Sequence, residues 1–256
     1  MNSQHLEELR QKHQRRLQVL ELQAANYGSL APPHIVIEIE DIKEKIASID
    51  KQLVSGGEST SQTPRQRMVF VLFLSSDPTN ASRLRLGEEF REIQKKLQLA
   101  KLRNQFALEQ RMSVRPIDIS QALLDTQPQI VHFSGHGTDR GALCFENQTG
   151  EMHPIQPDAL AALFEQFANQ VKCVLLNACY SQVQANAIAK HIDCVIGMNQ
   201  AIGDEAAIAF AIGFYQALGA GRTIEEAYKL GCVQIRLQNI PEHLTPVLIK
   251  KVAVLS

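Results

Sequence analysis

The sequence predicts an α/β fold: a mostly parallel sheet with helices on both faces, preceded by an N-terminal helical hairpin. Three observations predict it. Short continuous apolar runs recur at 68–75, 130–135, 171–178 and 194–198, of strand length and apolar enough to be buried on both faces. Stretches of helical length separate them, and strand–helix alternation of this kind makes parallel neighbours. Before residue 54 the pattern changes to a seam with apolar residues at steps of three and four.

The elements follow in order. In the second N-terminal segment Ile35, Ile39, Ile42, Ile46, Ile49 and Leu53 form an a/d seam of coiled-coil type, with Pro32-Pro33 suited to its first turn. The first segment carries Leu6, Leu9, Leu17, Leu20 and Ala24, and Asn26-Tyr27-Gly28-Ser29 breaks it. Residues 1–53 therefore read as a hairpin whose seam wants a further surface, an interaction module for a protein partner. Residues 54–66, rich in Ser, Gly and Thr, read as a flexible linker. From 67 to 256 the expected order is strand 68–75, helix 83–99, strand 105–114 and helix 117–124, then strand 130–135 and a small hairpin from Leu143. Helix 157–168, strand 171–178, helix 182–190 and strand 194–198 follow. Helices 205–218 and 223–237 and a last strand at 246–254 complete the chain.

Composition narrows the function classes. Of 256 residues, 26 are Lys or Arg and 27 are Asp or Glu, a net charge of −1 that gives no basic excess for nucleic acid or a membrane surface. There is no Trp, and with only four Tyr a base-stacking platform is not expected. The polar N-terminus and the lack of a long apolar run point to a cytoplasmic protein. Five scattered cysteines without CxxC spacing suggest neither a zinc site nor a redox pair, and no cofactor or metal is expected. No calcium loop, GxxxxGK[ST], GxGxxG or GxSxG is present.

In open α/β sheets, functional groups gather where strands end. Two such ends stand out: Phe133-Ser134-Gly135-His136-Gly137 and Asn177-Ala178-Cys179-Tyr180-Ser181. If the strands are neighbours, an imidazole and a thiol lie side by side. The imidazole can take the thiol proton and later protonate a leaving amine. The helix beginning near Gln182 points its positive end toward Cys179. The N–H groups of Gly137 and Cys179 could bind an oxyanion. His132, which alternates with buried strand residues, reads as internal, and Cys173 and Cys194 read as packing residues.

The motifs VHFSGHG and LLNACYS, with 43 residues from His136 to Cys179, resemble the CHAT branch of the caspase-like (clan CD) cysteine peptidases. The likeness runs from Met68 to Ser256. It implies a caspase-like α/β/α sandwich, a catalytic dyad of His136 and Cys179, and Gly137 and Cys179 as oxyanion donors. It also implies cleavage of a few protein substrates once a partner switches the enzyme on. Residues 1–53 resemble the helical modules that precede effector domains in bacterial defence or signalling proteins. Members of the clan that cut after Arg or Lys carry Asp two positions before the cysteine, where this chain has Asn177, so a basic preference is not expected from that position. Asp204 and Glu205 could form a negative substrate pocket instead, although the first turn of a helix favours such residues by itself. The competing reading is a non-catalytic scaffold on the same fold.

Overall fold

The structure, a computed structural model, describes residues 32–54 and 68–251 and isolated positions between 10 and 24. The chain divides into two compact units, Met1–Arg65 and Gln66–Ser256.

In the first unit, helix α1 (Pro33–Val54) buries Ile35 and Ile42 against Leu20, with Leu17, Ala24, Ile39 and Ile46 packed around them. The described positions between 10 and 24 are helical. Lys43 pairs with Glu21 at 2.8 Å and Arg10 with Asp50 at 2.5 Å. Both pairs are half exposed, so they orient the segments more than they stabilise them. The break anticipated at 26–29 and all but the first residue of the linker anticipated at 54–66 lie outside the described residues; Val54 itself closes α1.

The second unit is built on a six-stranded sheet. Its elements are β1 (Val69–Ser76), α2 (Leu86–Gln98), β2 (Phe106–Arg111), α3 (Pro116–Thr126), β3 (Ile130–Gly135), β4 (Leu143–Glu146), β5 (Met152–Ile155) and α4 (Pro157–Gln166). They continue as β6 (Cys173–Asn177), α5 (Gln182–Ile188), β7 (Cys194–Met198), α6 (Asp204–Gly219), α7 (Ile224–Leu237) and β8 (Pro246–Lys250). The strand order is β2-β1-β3-β6-β7-β8, parallel throughout except for β8, which runs antiparallel to β7. β4 and β5 form a separate hairpin.

Period-two alternation sends side chains to two cores. Leu72, Leu74, Val131, Phe133, Val174 and Leu176 face α3, α4 and α5. Val71, Phe73, Ile130, Cys173, Leu175 and Ile196 face α2, α6 and α7, where Phe210, Phe214 and Tyr215 fill the space. The sheet is covered on both faces, which is why its strands read as unbroken apolar runs.

Chain order reverses between β1 and β3: after β1 the chain crosses to β2 on one side, then returns to β3 on the other. The loops leaving the carboxyl ends of β1 and β3 therefore part and open a crevice there. One expected boundary moves because of it. The helix anticipated from Arg83 begins only at Leu86. Arg83 instead reaches back to Asp77 at 2.9 Å; the chain turns at Thr79-Asn80, with the Ala81 N–H on the Pro78 carbonyl, and runs without helix from Ser82 to Arg85. The strand anticipated to Val114 ends at Arg111, since Ser113 turns the chain with φ 53°.

Candidate active site

β3 and β6 are parallel neighbours with Ser134 opposite Asn177. Two residues further along each strand direction lie His136 and Cys179, so equal steps past the last pairing bring both to the same edge. Both line one narrow cleft, with Gly135 and Ala178 between them. Gly137 shows how tightly the two turns are pressed together. A Cβ at this position would stand 1.9 Å from the Cys179 carbonyl oxygen and 3.2 Å from its nitrogen. Only glycine lets the main chains approach so closely.

Each side chain is held by its surroundings. His136 is mostly covered, its side chain 17 % exposed. Its Nε2 lies 2.8 Å from the Ser82 carbonyl oxygen. A carbonyl only accepts, so Nε2 carries a proton in this contact and Nδ1 is the ring position left to accept in the neutral imidazole. Asp77 Oδ1 sits 4.0 Å from the same nitrogen, while Arg83 holds the other carboxylate oxygen. The loop after β1 thus supplies the groups that face His136 Nε2.

Cys179 leaves the strand through a sharp turn. Tyr180 has φ 55°, a strained value for a non-glycine residue, and its N–H donates to the Gln200 carbonyl. Fully buried Ser181 donates to the Leu176 carbonyl at 2.8 Å and accepts from Met198 N–H at 2.9 Å, bolting the turn to β6 and β7. The Ile202 N–H points at Cys179 Sγ from 3.4 Å. The antiparallel bridge between Gly137 and Leu143 uses the N–H groups of Cys144 and Thr138, not that of Gly137. Among the described residues the Cys179 N–H likewise has no backbone acceptor. Two donors are therefore available beside the sulfur.

The other thiols stand in different surroundings. Burial pushes the Cys173 thiol well up, with Cys194 adding to it, and raises Cys144 to about 11. Cys194 and Cys232 are also raised, chiefly by burial.

Beneath the cleft lies a buried polar cluster that the sequence did not announce. Glu89 of α2 is 2 % exposed. It accepts from Asn177 Nδ2 at 2.5 Å and from the Ser134 hydroxyl, and His132 Nε2 stands 3.1 Å away. His132 Nδ1 continues to the Tyr215 hydroxyl at 3.2 Å. Burial alone would raise the Glu89 carboxyl. The His132 charge and the bonds from His132, Ser134 and Asn177 outweigh it and hold the group below its usual value.

The acidic residues expected at a substrate pocket separate. Asp204 lines the cleft and accepts from the Arg85 N–H at 3.1 Å. Glu205 does not line it and faces a neighbouring depression with Glu88 and Gln234, because successive positions of the first turn of α6 point about 100° apart. Asn177 lines the cleft but is only 4 % exposed. Among the described residues no three His, Cys, Asp or Glu side chains are grouped to hold a metal ion, and no helix is long and apolar enough to cross a membrane.

Comparison with known proteins bears on this arrangement. The model of the CHAT domain family matches residues 36–243. The chain belongs to the CHAT domain family. A Roc-COR-CHAT protease from an unknown prokaryotic organism is 28 % identical over 194 residues, covering 70 % of this chain and 18 % of its own length. A probable protease from Gillisia limnaea is 28 % identical over 153 residues, covering 59 % of this chain and 27 % of its own. The CHAT chain thus spans about a fifth to a quarter of the length of the curated relatives it matches. Among solved structures, a secreted C11 cysteine protease from Bacteroides thetaiotaomicron superposes with a TM-score of 0.50 at 12 % identity, covering 72 % of this chain and 66 % of that one. At that identity the likeness concerns the fold, a caspase-like sandwich with a mostly parallel sheet.

Proposed function

We propose that the chain is a cysteine endopeptidase that cleaves protein substrates through Cys179 and His136. The observation that carries the reading is the pairing of β3 with β6, which ends two neighbouring strands in an imidazole and a thiol on one cleft. The relatives named as proteases support the reaction class.

The steps follow from the groups present. His136 takes the thiol proton at Nδ1, Nε2 being engaged with the Ser82 carbonyl. The sulfur attacks the scissile carbonyl, and the oxygen that gains charge faces the N–H groups of Gly137 and Cys179. The imidazolium gives its proton to the departing amine as the C–N bond breaks, leaving a thioester. Water then adds to the thioester with His136 as base. The acid leaves, and the proton returns to the sulfur.

Residues 1–53 serve in this reading as the recruiting module for an activating protein, and the chain acts as a bacterial effector in signalling or defence.

The test is a search for new N-termini in a cell extract incubated with the full chain. Wild-type protein should generate a small set of new termini, and Cys179→Ala should generate none of them. The same termini from both proteins would remove the hydrolytic reading.

A further inference from the structure

The main chain of Ile202, in the loop between β7 and α6, faces the Cys179 sulfur. Its N–H points at Sγ from 3.4 Å, and its carbonyl oxygen lies 3.7 Å from Sγ. The two groups suit the two states of the sulfur: a thiol can donate to the carbonyl, and a thiolate can accept from the N–H. Bonds to an ionised acceptor are the stronger kind, so the N–H gains weight as the sulfur loses its proton. The contact depends on where the loop lies, because residues 199–203 belong to no helix or strand.

The segment between α7 and β8 holds that loop at both ends. At the start, Asn199 N–H donates to the Thr245 carbonyl at 3.0 Å, and Gln200 Nε2 donates to the Thr245 hydroxyl at 2.9 Å. At the far end, Gly203 N–H donates to Glu242 Oε2 at 2.7 Å. Gly203 is the N-cap of α6 and has no side chain with which to cap the helix itself. A Cβ there would stand 3.4 Å from Glu242 Oε1, so the carboxylate is seated against this residue. Among the described residues Glu242 has no cationic partner that would explain its place. The Gly203 N–H and the Ile202 carbonyl belong to one peptide plane. Fixing the N–H on Glu242 therefore fixes the carbonyl that faces Sγ, and with it the orientation of Ile202.

We infer that Glu242 is a positioning residue for the nucleophile: by holding the Gly203 N–H it keeps the Ile202 main chain on the Cys179 sulfur. The inference rests on the cysteine peptidase reading and extends its machinery to the segment that joins α7 to β8. Glu242 acts here as an acceptor. Its negative charge does nothing to favour an ionised sulfur, so the benefit is one of geometry, and a neutral amide at the same place would serve as well.

The test uses the full chain and iodoacetamide, with the rate at each cysteine read by mass spectrometry. At about pH 7, Glu242→Ala should slow Cys179 by about tenfold, the scale of one hydrogen bond to an ionised group, while Cys194 and Cys232 keep their wild-type rates. Glu242→Gln, whose amide oxygen still accepts, should stay within about twofold of wild type. The gap between wild type and Glu242→Ala should close toward about pH 9.5, where a thiol ionises without help. Equal Cys179 rates in wild type and Glu242→Ala, Glu242→Gln as slow as Glu242→Ala, or a gap that stays constant with pH would each overturn the inference and leave the peptidase reading standing. A Cys179 rate that follows Glu242 in a chain that generates no new substrate N-termini would keep the positioning of the sulfur and remove the peptidase reading.

Discussion

Strands β3 and β6 each carry a reactive residue type twice, once inside the sheet and once just past its end. On β3 the pair is His132 and His136; on β6 it is Cys173 and Cys179. His132 is fully buried, tilted against Phe73, stacked near Tyr215 and close to Glu89. His136 has the same strand parity but stands four residues on, where the sheet stops and a loop carbonyl replaces a buried carboxylate as its partner. Cys173 sits in a core that pushes its thiol up, and Cys179 lines a cleft. Identical side chains are structural or chemically available according to their distance from the strand end. The interior pair supports the fold, and the terminal pair is positioned by it.

Substitutions at the two histidines should separate these roles most sharply. His136→Ala should lower peptide hydrolysis by about a thousandfold or more while the melting temperature stays near that of the wild type. In the interior, Glu89→Ala should destabilise the domain by about 3 kcal/mol in a denaturant titration, because it leaves Asn177, Ser134 and His132 without their shared acceptor. If the melting temperature falls as far for His136→Ala as for Glu89→Ala, the distinction between the pairs is lost.

Gly137→Ala tests the contact between the two terminal turns. The added Cβ would stand 1.9 Å from the Cys179 carbonyl oxygen, so the turns must move apart. A shift of that kind should reduce turnover by about a hundredfold, with a circular dichroism spectrum unchanged. Acid stability reports on the interior cluster. Glu89 ionises below the usual carboxyl value of 4.5. Its contribution is therefore complete above the unfolded value and is lost as the pH falls through the lowered folded one. Unfolding followed below pH 4.5 should show a shallower acid limb in Glu89→Gln than in wild type. The smallest effect is expected from Asp77→Asn. With its carboxylate 4.0 Å from His136 Nε2 and the Ser82 carbonyl closer, it should cost about threefold in turnover.

Much of this was legible in the sequence, and the exceptions have physical reasons. Strands buried on both faces announce themselves as apolar runs, so β1, β3, β6 and β7 could be placed within a residue or two. The two strand ends carried the family likeness, and the CHAT match agrees with it. The helix start was placed at Arg83 because Arg83 and Arg85 favour helix locally, but Arg83 pairs with Asp77 and the helix begins at Leu86. Glu89 was not singled out in the sequence. A signal was present: Leu86, Ile93 and Leu97 define the buried stripe of α2, and Glu89 falls on it at helical spacing. His132 and Ser134 alternate with Val131 and Phe133 and so share the face that meets α2. What no local pattern could supply is that these three residues and Asn177, from three distant segments, converge on one point. The split of Asp204 from Glu205 likewise depends on the direction in which α6 starts.

The most direct measurement is residue-resolved alkylation of the native chain. A limiting amount of iodoacetamide at neutral pH, followed by mass spectrometry, reports the relative rate at each of the five cysteines. Cys179 should react first by a wide margin, and His136→Ala should slow that site alone. Alkylation spread evenly over the cysteines, or a Cys179 rate indifferent to His136, would contradict the pairing of thiol and imidazole at the ends of β6 and β3.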